Sequence, residues 1–168
     1  NASRPIKKEE ADAAKAAGRL FVDLVDRRRD RVALVPFDQT ARLAQALTNN
    51  AALFKTALDA MTTSPGTRID LGLAKGAEEL RLRARNGSQR VLVVMSDGQP
   101  SAGTRDPALR TAADVRRGGA TGFASGPGQA EGTVLNARAS SSRHVYTAPN
   151  PADLEQIYRR IAAELPCR

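Results

Sequence analysis

The stretch Val91-Leu92-Val93-Val94-Met95-Ser96-Asp97-Gly98 decides the fold of this 168-residue chain. Its first five residues are continuously apolar and rich in β-branched side chains, a pattern typical of a parallel strand covered by helices on both faces. The polar residues that follow at once are typical of a turn. The stretch therefore predicts the central strand of an α/β sheet, with Asp97 at its carboxyl end.

Helical and extended patterns alternate on both sides of this strand. Helices are predicted at about 8–26, 50–61, 67–85, 108–117 and 133–139 and after Asn150, and further strands at 32–37, weakly within 40–47, at 121–125 and at 144–148. Such alternation predicts a three-layer α/β/α, doubly wound (Rossmann-like) fold with a mostly parallel sheet. Pro36 is expected to mark a strand end or an edge position. The length predicts a single domain over residues 1–168.

The core is predicted from the apolar residues that recur at helical spacing. Aromatic residues make up only 4% of the chain and Trp is absent, so Ala, Val, Leu and Ile must fill the interior. The predicted inward residues are Ala14, Ala17, Phe21, Leu24 and Val25, then Leu53, Ala57, Leu58 and Met61, then Ile69, Leu73, Ala77 and Leu80, then Leu109, Ala112, Ala113 and Val115.

The chain is strongly basic, with a formal charge of +8 and an isoelectric point of about 10.5. Its arginines occur in short groups such as 27–29 and 81–85, interspersed with acidic residues and alanine on helix faces and ends that we expect to be exposed. No aromatic residues interleave with them as a base-stacking surface would require. We therefore expect no specific nucleic-acid target. Binding to an anionic surface stays open as an alternative, and a steep salt dependence would reveal it.

Several classes of chemistry lack their usual residues. Cys167 is the only cysteine, so an internal disulfide is excluded, and His144 is the only histidine. The sequence contains neither a phosphate-binding glycine loop nor a nucleophile elbow, which argues against an enzyme, although the fold class alone does not exclude one. No apolar run is long enough to cross a bilayer. Because the chain opens with Asn1 rather than Met, we expect it to be a processed or excised piece.

Four ordered segments and the tail resemble one known family. They are Phe21-Val22-Asp23-Leu24-Val25, Asp30 to Phe37, Gly66-Thr67-Arg68-Ile69-Asp70-Leu71-Gly72-Leu73, and Val91 to Pro100, followed by Tyr146 to Ala148, Ala152 to Leu154 and Ile157-Tyr158. In this order and spacing they resemble von Willebrand factor type A domains, and bacterial members in particular. The resemblance spans nearly the whole chain.

The resemblance implies a metal-ion-dependent adhesion site for Mg²⁺ or Mn²⁺. The family builds it from an Asp-x-Ser-x-Ser loop after the first strand, a threonine and a strand-end aspartate. Thr67 and Asp97 match the last two parts. In the first part Asn1 stands at the Asp position, with Ser3 and Pro5 at the two Ser positions; a slipped alignment makes Ser3 the final serine. The expected metal ligands are therefore Ser3, Thr67 and Asp97, with Asn1 as a further candidate, and the family's first strand is expected to be missing from this chain.

The resemblance also implies a function. It indicates a protein-binding module, not an enzyme, in which the metal takes an acidic side chain of a partner. A cell-surface or extracellular location and a membrane-anchored parent protein would fit it, and the oligomeric state stays open. The broken first motif leaves a metal-free scaffold domain as the alternative.

Each expected ligand also has a purely structural explanation. Thr67, with Asp70 three residues later, is typical of a helix N-cap. Asp97 before Gly98 is typical of a turn, and Ser3 lies close to a terminus that commonly frays.

Overall fold

The computed structural model describes residues 4–62, 64–95, 101–126, 145–147, 156, 159–160 and 162–163. In chain order the elements are α1 (Arg4–Leu24), β1 (Val32–Leu34), β2 (Gln45–Thr48), α2 (Ala51–Asp59), α3 (Ile69–Arg83), β3 (Arg90–Met95), α4 (Arg105–Arg117), β4 (Ala120–Gly126) and β5 (Val145–Thr147). The isolated residues near the end are helical, within the predicted last helix. The predicted helix at 133–139, His144 and Cys167 lie outside the described residues.

The strands form two groups. β3, β4 and β5 are parallel neighbours, and β3 pairs with β4 from Arg90 opposite Ala120 to Met95 opposite Ser125. The predicted strand and its parallel pairing are therefore confirmed, although among the described strands β4 and not β3 lies in the middle of this group. In the part of the chain that the structure describes, α3 and α4 pack against this group, which gives an α/β fold.

The first predicted strand was partly wrong. β1 ends at Leu34, before Pro36, and it pairs with β2 in an antiparallel manner, whereas a mostly parallel sheet was predicted. Phe37 and Ala41 form an antiparallel bridge around the Asp38–Thr40 turn, so the chain reverses there. This reversal also moves the second strand to Gln45–Thr48, beyond the predicted start at residue 40.

Two clusters of buried side chains make up the core. One joins α3, α4 and β3 through Ile69, Leu73, Val94, Ala108 and Ala112. The other joins α1 and α2 through Val22, Ala51, Phe54 and Leu58, with residues of β1 packed against it. The aliphatic core predicted from the composition is confirmed, with Phe54 as an aromatic exception.

Two predicted core residues were placed wrongly. Leu53 is 50% exposed, and Phe54 is buried in its place. The reason lies in the cap of α2, where the Asn50 side chain accepts hydrogen bonds from the backbone N–H groups of residues 52 and 53 and fixes the helix start. Leu24 is also exposed, because it is the last residue of α1.

Helix α3 lies unusually close to the strands beneath it. A Cβ atom built on Gly76 would come within 2.8 Å of the Leu92 side chain, and one built on Gly72 within 2.7 Å of the Phe37 ring. The two glycines therefore allow the helix backbone to approach the sheet. α3 ends at Arg83, three residues before the predicted stop at Asn86-Gly87. None of the described helices is long and apolar enough to cross a membrane.

Candidate metal-binding site

Thr67 lies in a short loop that leads into α3. Pro65 and Gly66 precede it, and Gly66 adopts a φ of 108°, a conformation that strongly favours glycine. A Cβ atom at Gly66 would also meet the side chain of Gln39 at 2.7 Å. The loop conformation therefore depends on glycine at the position immediately before Thr67.

The backbone of Thr67 is fixed on both sides by one residue. Its N–H donates to the Ser101 Oγ at 2.9 Å, and its carbonyl oxygen accepts from the Ser101 N–H at 3.1 Å. Ser101 is itself held by Thr104, whose hydroxyl donates to the Ser101 carbonyl at 2.6 Å. These bonds tie the loop before α3 to the segment that leads into α4.

The prediction that Thr67 caps α3 is wrong. The helix begins at Ile69, the cap position belongs to Arg68, and no side chain makes a capping hydrogen bond there. Asp70, the other half of the predicted cap, pairs with Arg68 instead. Within the described residues the Thr67 hydroxyl has no hydrogen-bond partner. Neither a capping bond nor any other described contact therefore explains why a hydroxyl side chain stands at this position.

An ion pair supports the start of α3 below Thr67. The Arg68 guanidinium donates two hydrogen bonds to the Asp70 carboxylate, at 2.9 and 2.8 Å. The Asp70 side chain is only 8% exposed. The hydrogen bonds from Arg68 hold the pKa of Asp70 below its ordinary value, although burial works in the opposite direction. Asp70 is therefore charged at neutral pH and committed to Arg68.

A second acidic residue lies on the neighbouring loop. The Asp38 carboxylate accepts from the Thr40 N–H at 2.9 Å, and the Asp38 carbonyl oxygen accepts from the Arg68 N–H at 2.8 Å. The backbone hydrogen bond from Thr40 is the main cause of a lowered pKa at Asp38, and a hydrogen bond from Ser64 adds to it. Asp38 therefore joins two loops at this end of the sheet.

Thr67 is the one expected ligand among the described residues. Ser3, Asn1 and Asp97 lie outside the described residues; β3 ends two residues before Asp97. Within the described ranges no three acidic, histidine or cysteine side chains form a group that could hold a metal ion. Thr67 is thus the one expected ligand whose surroundings are known.

The residues that support Thr67 were not predicted from the sequence. Ser101 was not among the predicted site residues, and its contact with Thr67 spans 34 residues of chain, so no local pattern indicates it. Arg68 carried a local signal, because a basic and an acidic residue two positions apart can pair at the start of a helix. Asp38 was not among the predicted site residues either.

The fold agrees with a comparison against family models. The model of the von Willebrand factor type A domain matches residues 2–160, and the chain belongs to this family. A comparison with curated protein sequences finds no significant match.

Solved structures of the same fold are similar to this chain. The vWF domain of the type V pili tip protein Mfa5 from Porphyromonas gingivalis matches with a TM-score of 0.79 and 14% identity, covering 91% of this chain and 87% of that one. The pilus adhesin SpaC from Lactobacillus rhamnosus GG, in its open conformation, matches with a TM-score of 0.81 and 14% identity, covering 96% and 28%.

A third similar structure is proximal thread matrix protein 1 from the mussel byssus, with a zinc-occupied MIDAS motif. It matches with a TM-score of 0.75 and 24% identity, covering 96% of this chain and 42% of that one. At these identities the three structures support the fold alone. This chain spans less than half of the adhesin and of the byssus protein.

Proposed function

We propose that this chain is a protein-binding type A domain that holds Mg²⁺ or Mn²⁺ through Ser3, Thr67 and Asp97. Asn1 would add a further oxygen ligand in the unslipped alignment. The observation that carries the proposal is the state of Thr67: its backbone is fixed by Ser101, and its hydroxyl caps no helix and contacts no described partner.

The proposed donor set fits a small divalent cation. Hydroxyl and carboxylate oxygens are hard ligands, and Mg²⁺ and Mn²⁺ prefer them. Softer metals prefer sulfur and imidazole ligands instead. A bound cation with few negative ligands would offer a coordination position to a carboxylate of the partner. Thr67 and Ser3 would orient neutral oxygens toward the cation, and Asp97 would supply negative charge.

The biological setting is proposed from the similar structures. One is a pilus tip domain, one belongs to a pilus adhesin, and one is reported with zinc in its MIDAS motif. By analogy we propose a cell-surface or extracellular interaction domain without catalytic activity, formed by residues 1–168 as one unit. A membrane-anchored parent protein is consistent with this proposal.

Calorimetric titration with MgCl₂ and MnCl₂ tests the metal ligand that the structure describes. Thr67→Ala should weaken binding at least about tenfold, since even residues that only support metal ligands commonly cost 10- to 100-fold. Thr67→Ser keeps the hydroxyl and should restore most of the affinity. Thr62→Ala removes an exposed hydroxyl from the same connection and is the matched control. Equal affinity in Thr67→Ala and Thr62→Ala would exclude Thr67 as a ligand.

A metal-free scaffold domain is the second candidate, and one observation favours it. The loop that contains Thr67 is closed by protein hydrogen bonds alone, through Ser101 and through the contact of Arg68 with Asp38. Such a loop does not need a cation to keep its shape. The same titration distinguishes the two candidates, because the scaffold domain would give no binding heat with either metal.

A further inference from the structure

A second surface lies at the opposite end of α3 from Thr67. We define the arginine end as residues 26–31, 79–90 and 114–117. These segments contain ten arginines and four acidic residues. The arginines are Arg27, Arg28, Arg29, Arg31, Arg81, Arg83, Arg85, Arg90, Arg116 and Arg117. Much of the net charge of the chain is therefore concentrated in three short segments.

The fold brings the three segments together. The Arg85 guanidinium donates a hydrogen bond to the carbonyl oxygen of Arg29, which joins the turn after α1 to the turn after α3. Arg90 begins β3 and lies opposite Ala120, the first residue of β4. Since α4 ends only three residues before Ala120, its last turn reaches the same end of the sheet.

The acidic residues of this end are already occupied. Asp26 and Asp30 accept hydrogen bonds from backbone N–H groups within their own turn, and Asp114 pairs with Arg117. Glu79 is buried, and its carboxylate accepts from the Leu47 N–H at 2.9 Å.

Several arginines of this end have no such neutralising partner. Five exposed arginines make no ion pair with any described residue, namely Arg27, Arg28, Arg31, Arg81 and Arg85. The surface therefore carries uncompensated positive charge.

Helix dipoles explain only part of this charge. The last turns of α3 and α4 carry basic residues, which the partial negative charge of a helix C-terminus favours. Arg27, Arg28 and Arg31 lie between α1 and β1, Arg85 lies between α3 and β3, and Arg90 is the first residue of β3. Their concentration therefore calls for an anionic partner outside the molecule.

One apolar side chain projects from the same surface. Leu82 lies between Arg81 and Arg83 and is 60% exposed, the highest value among the exposed large apolar residues of the described chain. The three segments contain no aromatic residue that could stack on a base. An exposed leucine between two exposed arginines suits a lipid–water interface, where the leucine enters the apolar layer and the guanidinium groups meet the phosphates.

We propose that the arginine end docks on an anionic phospholipid surface. Guanidinium groups match phosphate oxygens in a two-point geometry, and arginines spread over three chain segments suit a plane of headgroups. α3 has 15 residues, which corresponds to a length of about 22 Å. Thr67 therefore lies on the far side of the domain and faces away from the membrane that the arginines contact.

Vesicle flotation with the full chain tests this proposal. Vesicles of phosphatidylcholine alone are compared with vesicles that contain 30 mol% phosphatidylglycerol, each at low and at high NaCl. The test variant replaces Arg28, Arg31 and Arg81 by Gln. The matched control replaces Arg42, Arg105 and Arg110 by Gln, which removes the same charge from exposed arginines elsewhere.

We expect binding only to the anionic vesicles, and loss of that binding at high salt. Each basic residue near such a surface contributes roughly a fivefold change in partition, so the test variant should bind roughly 100-fold more weakly. The control variant should stay within about threefold of the wild type. Leu82→Ser should weaken binding a further few-fold while the salt dependence stays unchanged.

Three results would overturn the proposal. The first is an equal loss of vesicle binding in the test and control variants, because net charge alone would then explain binding. The second is absence of anionic-vesicle binding in the wild-type chain. The third is tighter binding to a 30-base-pair DNA or a single-stranded RNA than to the vesicles, with no effect of Leu82→Ser, since that pattern would assign the surface to nucleic acid.

Discussion

The two ends of α3 differ in how their polar groups are used. At the first turn, Arg68, Asp70 and the backbone of Thr67 are engaged in specific, partly buried hydrogen bonds. At the last turn, Arg81 and Arg83 are exposed, and Arg81 has no ion-pair partner among the described residues. One end therefore fixes the position of individual atoms, whereas the other presents charge that acts over a distance.

This difference indicates where substitutions should affect stability and where they should affect association. A buried, hydrogen-bonded group loses its partner when it is replaced, and the cost appears in the free energy of unfolding. An exposed charge mostly loses long-range attraction, which salt screens. Matched substitutions at the two ends test the contrast directly.

The largest expected difference is between two leucines of α3. Leu73 is 3% exposed in the core cluster, whereas Leu82 is 60% exposed at the arginine end. Leu73→Ala should lower the free energy of unfolding by about 2–5 kcal/mol, and Leu82→Ala by less than about 0.5 kcal/mol. Urea denaturation followed by circular dichroism measures both. Equal losses would contradict the assignment of the Leu82 side chain to the surface.

The next contrast compares two aspartates that each pair with an arginine. Asp70→Ala should lower the free energy of unfolding by about 2–3 kcal/mol, because it leaves the partly buried Arg68 guanidinium without its hydrogen-bond acceptor. Asp114→Ala should cost less than about 0.5 kcal/mol, because Asp114 and Arg117 are 66% and 77% exposed. Denaturation at neutral pH gives both values, and a loss at Asp114 as large as that at Asp70 would refute the contrast.

The Asp70 pair also predicts a pH dependence. Because Arg68 holds the pKa of Asp70 below its ordinary value, the folded chain binds a proton there less readily than the unfolded chain. The contribution of the Asp70–Arg68 pair to the free energy of unfolding should therefore be complete above about pH 5 and decline as the pH falls below about 4. The difference in unfolding free energy between wild type and Asp70→Asn should shrink over that range. A difference that grows on acidification would contradict the predicted sign.

Two serines provide a smaller contrast. Ser101→Ala removes the acceptor of the partly buried Thr67 N–H and should cost about 1–2 kcal/mol. Ser88 donates to the Arg85 carbonyl oxygen at 2.6 Å in an exposed turn, so Ser88→Ala should cost less than about 0.5 kcal/mol. Thermal unfolding of both variants is the measurement. Ser101→Ala without any loss would remove the support proposed for Thr67.

The smallest expected effect is on stability at the arginine end. Replacing Arg28, Arg31 and Arg81 by Gln should change the free energy of unfolding by less than about 0.5 kcal/mol in high salt. In low salt the variant should be slightly more stable than the wild type, because it relieves repulsion between like charges. Melting temperatures across a salt series test this sign, and a destabilised variant would show that these arginines support the fold.

Much of the fold follows from local sequence patterns. The apolar stretch before Asp97 predicts β3, and its parallel partner β4 follows the predicted helix and the Gly118-Gly119 stop. The errors come from a chain reversal and from a helix cap. Phe37 and Ala41 reverse the chain after β1, and Asn50 sets the start of α2, which turns Phe54 inward instead of Leu53.

The candidate site was less accessible from sequence than the fold. Family resemblance points to Thr67, but the bonds that hold it come from Ser101, far along the chain. The local pattern around Thr67 suggested a helix cap, and the structure contradicts it because Arg68 occupies that position. A contact between two loops depends on the assembled sheet, which no short window of sequence encodes.

Calorimetric titration of Mn²⁺ and Mg²⁺ into the wild-type chain, Thr67→Ala, Asp97→Ala and the double variant tests the central claim most directly. If Thr67 and Asp97 bind one cation together, the wild type should bind a single equivalent. Each single substitution should then weaken binding at least about tenfold, and the double substitution should add less than the sum of the two effects. Binding in the double variant that equals the wild type, or no binding heat in the wild type, would contradict the claim.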